Sequence, residues 1–211
     1  MIKGIKHIIL DLGGVILNID YKLTEQAFMD LGIRNFAQIY SQALQTSFFD
    51  DFETGRSTRA DFIQGMQQMA GLPLTSEQIT GAWNAMLLDF PLRRLQLLQQ
   101  LQLHYDMVLL SNTNEIHEEA FNKILLAQNG IPNIGVFFDK VYLSHRIGMR
   151  KPNLEVYTRI LDETGFDPAN TLFIDDSLQH VEGARRAGIQ SLHLEKGMTL
   201  EKDIFKPKEG Q

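Results

Sequence analysis

Apolar and polar positions follow two rhythms along this chain. Short apolar runs of strand character recur at 8–10 (IIL), 106–110 (DMVLL), near Lys140–Leu143, at 171–174 (TLFI) and at 190–194 (QSLHL). The first stops on a lone carboxylate, Asp11, with Gly13-Gly14 close behind. The second runs into Ser111-Asn112-Thr113-Asn114, and the fourth into Asp175-Asp176-Ser177. Three of the five runs thus end where small polar or acidic residues begin.

The second rhythm is helical. Residues 22–90 read as helix upon helix, with no convincing strand. Ser57 is placed as the N-cap of a helix over 58–70, with Phe62, Met66 and Met69 on one face and Gly71 closing it. Thr75 and Gln78 form a capping box for a helix over about 76–88, with Ile79, Trp83 and Leu87 at four-residue spacing. These apolar stripes read as core. From Pro91 helices alternate with the strand runs: PLRRLQLLQQLQ opens on Pro91, a helix over about 115–128 follows, and a loop spans 129–135. After the turn HRIGMRKPN, Pro152 starts a helix running to about Thr164 with Gly165 as its stop, and a helix over about 178–187 closes at Gly188. The tail KPKEGQ reads as unstructured.

Alternating strands and helices imply right-handed crossovers and a parallel sheet, so every strand ends at the same edge. Asp11, Ser111, Asp175 and Asp176 are therefore expected to converge there. Glycines at such an edge let a phosphate approach backbone N–H groups, which marks Gly14 as a phosphate-binding candidate. A carboxylate beside an acidic pair is a hard oxygen set suited to Mg²⁺. The plainer reading of Asp175-Asp176 is a cap on the following helix. Adjacent acids repel, however, and Lys151, in the Arg150-Lys151-Pro152 turn, is placed to neutralise both that pair and a bound phosphate. With Ser111 and Asn112 as donors, these residues describe phosphoryl transfer through an aspartyl-phosphate.

Composition narrows the field. The chain has 211 residues and a formal net charge of −6, with no clustered Lys and Arg of the kind that nucleic-acid binding shows. It has no cysteine, which removes disulfides, thiolate nucleophiles and cysteine-bound zinc. No apolar run approaches the roughly 18 residues a membrane span needs, and MIKGIKHIIL lacks the apolar stretch of a signal peptide. A soluble cytoplasmic protein is expected, with a small phosphorylated metabolite as its partner and no nucleic acid or membrane.

In order and spacing, LDLGGV (10–15), LLSN (109–112), GMRKP (148–152) and FIDDS (173–177), continued by VEGARRAG (181–188), resemble the haloacid dehalogenase-like hydrolases over nearly the whole chain. The resemblance implies an α/β fold: a Rossmann-like parallel-sheet core over 1–16 and 91–211, and an inserted all-helical cap over 17–90. It implies Asp11 as the phosphorylated nucleophile, Ser111 and Asn112 at the phosphate, and Lys151 holding nucleophile and phosphate together. It also implies Mg²⁺ on Asp11, the Gly13 carbonyl and Asp176, with Asp175 behind them or on a metal-bound water. The sequence is most similar to the family's sugar-phosphate phosphatases, which makes Asn114 and His117 candidates for substrate contact, with Asp20 beside them as a possible proton donor. It departs from the family at Gly13, where most such phosphatases carry a second Asp as general acid and base. Three readings stay open: a phosphatase that finds its acid elsewhere or lacks one, a metal-free dehalogenase-type hydrolase, or a non-catalytic phosphate-binding protein. A phosphatase without that acid should favour a good leaving group, such as an anomeric sugar 1-phosphate.

Overall fold

The computed structural model describes residues 2–33, 36, 38 and 47–205. Five strands, β1 (His7–Leu10), β2 (Asp106–Ser111), β3 (Lys140–Leu143), β4 (Thr171–Asp175) and β5 (Gln190–His193), form one parallel sheet in the order β3-β2-β1-β4-β5. Side chains alternate across it. Ile8, Leu10, Met107, Leu109 and Ile174 enter one core with Leu95 and Leu98 of α5 (Leu92–Leu101) and Phe121 and Leu125 of α6 (Glu115–Asn129). Ile9, Val108, Leu110 and Phe173 enter the other with Val156, Tyr157 and Ile160 of α8 (Leu154–Thr164) and Ala184 of α9 (Leu178–Arg186). Burial on both faces accounts for continuous apolar strands in place of alternating ones. No helix among the described residues is long and apolar enough to cross a membrane.

Between β1 and α5 lie, among the described residues, α1 (Tyr21–Asp30), α2 (Phe48–Glu53), α3 (Arg59–Ala70) and α4 (Ser76–Asn84). They close on their own cluster of Phe28, Phe49, Phe52, Phe62, Ile79 and Trp83, which Ile116 of α6 joins from the core. Phe52 stacks on Phe62 with ring centres 4.3 Å apart, and Phe49 on Trp83 at 5.5 Å. The chain enters and leaves this insertion on two segments paired with each other. Asn18 N–H donates to Asp89 O at 2.9 Å, and Leu88 N–H to Asn18 O at 3.0 Å.

Several boundaries differ from the sequence reading. Thr58, not Ser57, caps α3, because its Oγ1 accepts from Asp61 N–H while Asp61 Oδ2 accepts from Thr58 N–H, completing a capping box. The expected box of Thr75 and Gln78 is present on α4. That helix stops at Asn84 because the chain beyond it is drawn to α1: Met86 N–H donates to Thr24 Oγ1 and Met86 O accepts from Asp20 N–H. The α8 helix starts at Leu154, after Pro152, since Asn112 holds the backbone of Lys151 on both its N–H and its carbonyl. The turn before it carries a short helix, α7 (Ser144–Ile147), and the loop 129–135 runs into a 3₁₀ turn at Ile134–Phe137. The tail KPKEGQ lies outside the described residues.

Candidate active site

Strand register builds the site. Leu10 lies opposite Leu109 of β2 and Ile174 of β4, and Asp11 N–H donates to Ile174 O at 3.0 Å, so the next residues, Asp11 and Asp175, emerge side by side. Between them stands Lys151, with no exposed surface: its Nζ lies 2.7 Å from Asp11 Oδ1 and 2.6 Å from Asp175 Oδ2. Asp175 is further held by Ser177 N–H at 2.8 Å and by His180 Nδ1, which lies 3.0 Å from Oδ1. Asp176 turns the other way, as adjacent residues leaving a strand must, and lies against Gly14. A Cβ on Gly14 would stand 2.1 Å from Asp176 Oδ2, and its φ of +73° suits glycine in any case.

The electrostatics follow from burial. Desolvation pushes the Asp11 carboxyl up to about 7, although Lys151 pulls it down. Burial also works against ionised Asp175, but Lys151 and His180 outweigh it and hold Asp175 at about 2. Burial pulls the Lys151 ammonium down, yet Asp11 and Asp175 together keep it above its ordinary value. Asp176 is pushed up by burial and by the charge of Asp175. Oxygens of Asp11, Asp175 and Asp176 all lie within 4.8 Å of one another. Three carboxylates against one ammonium leave excess negative charge, and an all-oxygen donor set fits a hard divalent ion such as Mg²⁺. Because Asp175 is spoken for by Lys151, Ser177 and His180, Asp11 and Asp176 are the pair whose oxygens such an ion would take.

Asp11, Gly13, Ser111, Lys151 and Asp176 line a cavity of about 250 Å³. It shares Tyr21, Glu53, Met86, Asn112, Thr113 and His117 with a second cavity of about 350 Å³ that extends under α1 and past Trp83. The other candidates divide. Asn112 is committed to Lys151: its Oδ1 accepts from Lys151 N–H and its Nδ2 donates to Lys151 O, each at 2.9 Å, so it positions the lysine. Asn114 caps α6, accepting from His117 N–H at 3.0 Å and reaching His117 Nδ1 with its Nδ2 at 3.3 Å. The far nitrogen of His117 donates to Trp83 O at 3.1 Å, which fixes the Nε2–H tautomer. Burial, opposed by the bond to Trp83, holds this imidazole down to about 4, so it is neutral at pH 7.

Three candidates line neither cavity: Asp175, which lies behind Lys151, and Gly14 and Asp20. Gly14 N–H donates to Leu17 O at 2.9 Å and is not offered to a phosphate; its task is to make room for Asp176. Asp20 is an exposed N-cap, accepting from Lys22 N–H at 3.0 Å, and stands away from the cavity wall. Three site residues were missed. His180, in the first turn of the helix behind the acidic pair, carried a local signal in its closeness to Asp175. Arg150 likewise stood beside Lys151 in its turn, whereas Glu53 carried none, since only tertiary packing brings it to the cavity wall.

The profile of the haloacid dehalogenase-like hydrolases matches residues 5–188 of the chain. Over 200 residues the chain is 29% identical to a D-ribitol-5-phosphate phosphatase of Bacteroides thetaiotaomicron, spanning 95% of this chain and 97% of that relative. The structure of a HAD family enzyme from Bacteroides thetaiotaomicron, in complex with magnesium and inorganic phosphate, matches with a TM-score of 0.81 at 34% identity, covering 92% of this chain and 96% of that one. A HAD-like family hydrolase from Porphyromonas gingivalis matches with a TM-score of 0.82 at 27% identity over 92% of each chain. The fold and the acidic edge are those of a hydrolase built on a parallel sheet. The chain belongs to the haloacid dehalogenase-like hydrolases.

Proposed function

We propose that this hydrolase cleaves a small phosphorylated sugar or polyol through an aspartyl-phosphate on Asp11, beneath a helical cap formed by residues 17–90. It is a phosphoric monoester hydrolase with Mg²⁺ as its cofactor, in keeping with the full-length phosphatase relative and the neighbour that binds magnesium and phosphate. The observation that carries the reading is Lys151, buried between Asp11 and Asp175 at the wall of the smaller cavity. Lys151 holds one oxygen of Asp11 and leaves the other to attack phosphorus. Ser111, buried at the same wall, supplies a hydroxyl donor to the transferred group. Asp11, Asp176 and the Gly13 carbonyl would hold Mg²⁺, which when bound neutralises charge on the phosphoryl oxygens. The insertion covers the site and limits size, since the two cavities hold a phosphoryl group and a short carbon chain but no macromolecule. Trp83 lines the larger cavity, and its buried indole N–H has no partner among the described residues, which suits a hydroxyl-bearing substrate.

The leaving group divides two finer readings. Gly13 on its own supports an anomeric 1-phosphate, whose departing oxygen needs little protonation. The relative that acts on D-ribitol 5-phosphate supports a primary ester. We favour the primary ester, because a carboxyl outside the Gly13 position lines the cavity, that of Glu53.

A panel of phosphate esters with and without Mg²⁺ tests the activity. Phosphate should be released from small sugar and polyol phosphates, cease on chelation, and fall by about 10⁴-fold or more in a folded Asp11→Asn variant, whose amide is a poor nucleophile. Metal-free release of halide from 2-haloacids, or bound esters that never turn over, would contradict it.

A further inference from the structure

A primary alkoxide leaves slowly unless it is protonated as it departs, and residue 13 offers no proton. Glu53, the last residue of α2, reaches the cavity wall from the inserted helices. It lines both cavities, so it sits at their junction. A substrate with its phosphoryl group at Asp11 and its carbon chain in the larger cavity must carry its ester oxygen through that junction. Glu53 Oε2 is enclosed and accepts no hydrogen bond from the described residues. Among the described residues it forms an ion pair with Arg150 Nη2 at 3.1 Å, but the Nη1 of the same guanidinium is bound to Asp50, so that charge is shared. Burial pushes the Glu53 carboxyl up to about 7 against the pull of Lys151. Its position is set by the backbone: Gly55, at φ +67°, brings the chain so close to α7 that a Cβ would stand 2.2 Å from His145 O.

We propose that Glu53 is the general acid and base of this phosphatase, reaching in from the helical insertion to take the place of the side chain absent at Gly13. The proposal rests on the phosphatase reading above. In the first step Asp11 attacks phosphorus and the bond from phosphorus to the ester oxygen breaks. The Glu53 carboxyl gives its proton to that oxygen, leaving an alcohol, an aspartyl-phosphate and a Glu53 carboxylate. In the second step water attacks phosphorus, Glu53 takes the water's proton, and the bond to Asp11 breaks. Orthophosphate, the Asp11 carboxylate and protonated Glu53 result, so each group ends as it began.

The test compares leaving groups, because kcat/KM covers only the steps through departure of the alcohol. For the best alkyl ester of the panel and for p-nitrophenyl phosphate, whose leaving group needs no proton, kcat/KM is measured with Mg²⁺ in the natural protein and in Glu53→Gln. The alkyl-to-aryl ratio should fall by roughly 10²–10⁴-fold. Adding Gly13→Asp to that variant should recover part of the ratio, since a Cβ at residue 13 meets only the end of the Ile19 side chain, at 3.2 Å. Should Glu53→Gln not fold, Glu53→Asp, which draws the carboxyl back by one methylene, should lower the ratio by less than that. An unchanged ratio, including an equal fall for both esters, overturns the proposal and marks Glu53 as a positioning residue for Arg150. Failure of the natural protein to release phosphate from either ester would instead overturn the phosphatase reading beneath it.

Discussion

At the sheet edge a fully buried ammonium, Lys151, lies between two carboxylates, whereas across the cavity the inserted helices are held by stacked rings, Phe52 on Phe62 and Phe49 on Trp83. The ionic side is directional: hydrogen bonds and strand register fix each atom, and a small displacement leaves a charge unpaired. The aromatic side is held by area, which tolerates a shifted or altered helix. Polar links between the two include His117 to Trp83 O and Arg150 to Glu53 and Asp50 by the cavity, and Arg59 to Glu115 and Glu119 away from it. One side therefore holds chemistry that must not move. The other can vary what is admitted, and contributes a carboxyl to the junction.

The largest effect that sharpens this contrast is loss of the cation. Lys151→Met leaves Asp11 and Asp175 buried without it, and should cost about 3–5 kcal/mol of stability, read by urea unfolding in chelator. A loss below about 1 kcal/mol would mean that the edge is not held by charge.

Next is the link at His117. Its folded value of about 4 lies below the ordinary 6.5, so between those values the unfolded chain binds the proton and the folded chain does not. The stability this group contributes is present above pH 6.5 and is lost as pH falls toward 4, roughly 3 kcal/mol at 1.36 kcal/mol per unit. His117→Gln, which can still donate to Trp83 O, should flatten that part of the slope in unfolding measured at pH 7 and pH 5. An unaltered slope would place the acid sensitivity elsewhere.

The smallest effect separates the acidic pair. Asp176→Ala should weaken Mg²⁺ binding more than Asp175→Ala, by about 10–100-fold, because Asp175 is tied to Lys151 and His180 while Asp176 is not. Asp175→Ala should show mainly as lost stability. Equal losses of Mg²⁺ affinity would mean that both carboxylates bind it directly.

What was legible in the sequence follows the same divide. The strands announced themselves, and because their shared direction forces their ends together, Asp11, Ser111, Asp175 and Asp176 could be grouped before any coordinates. Lys151 stood out through its turn. Local backbone geometry was harder to read: Gly14 lies in a tight turn in which its N–H is taken by Leu17, and Asp20 caps a helix whose start left no clear signal. Asn112 looked like a phosphate ligand, yet it spends its amide on the Lys151 backbone, a contact 39 residues away in sequence. Glu53 was invisible because helices packed by rings carry periodicity and no register, so nothing in FFDDFE says which acid faces the cavity.

The central claim is that Asp11, held by Lys151, is the atom donor that receives the phosphoryl group. Acid quenching the natural protein during steady turnover of its best ester, followed by peptide mass analysis, tests it most directly. The account predicts one phosphoryl group on the peptide carrying Asp11, absent in Asp11→Asn and removed by alkaline hydroxylamine. A phosphoryl group on any other residue, or none while phosphate is being released, would contradict it.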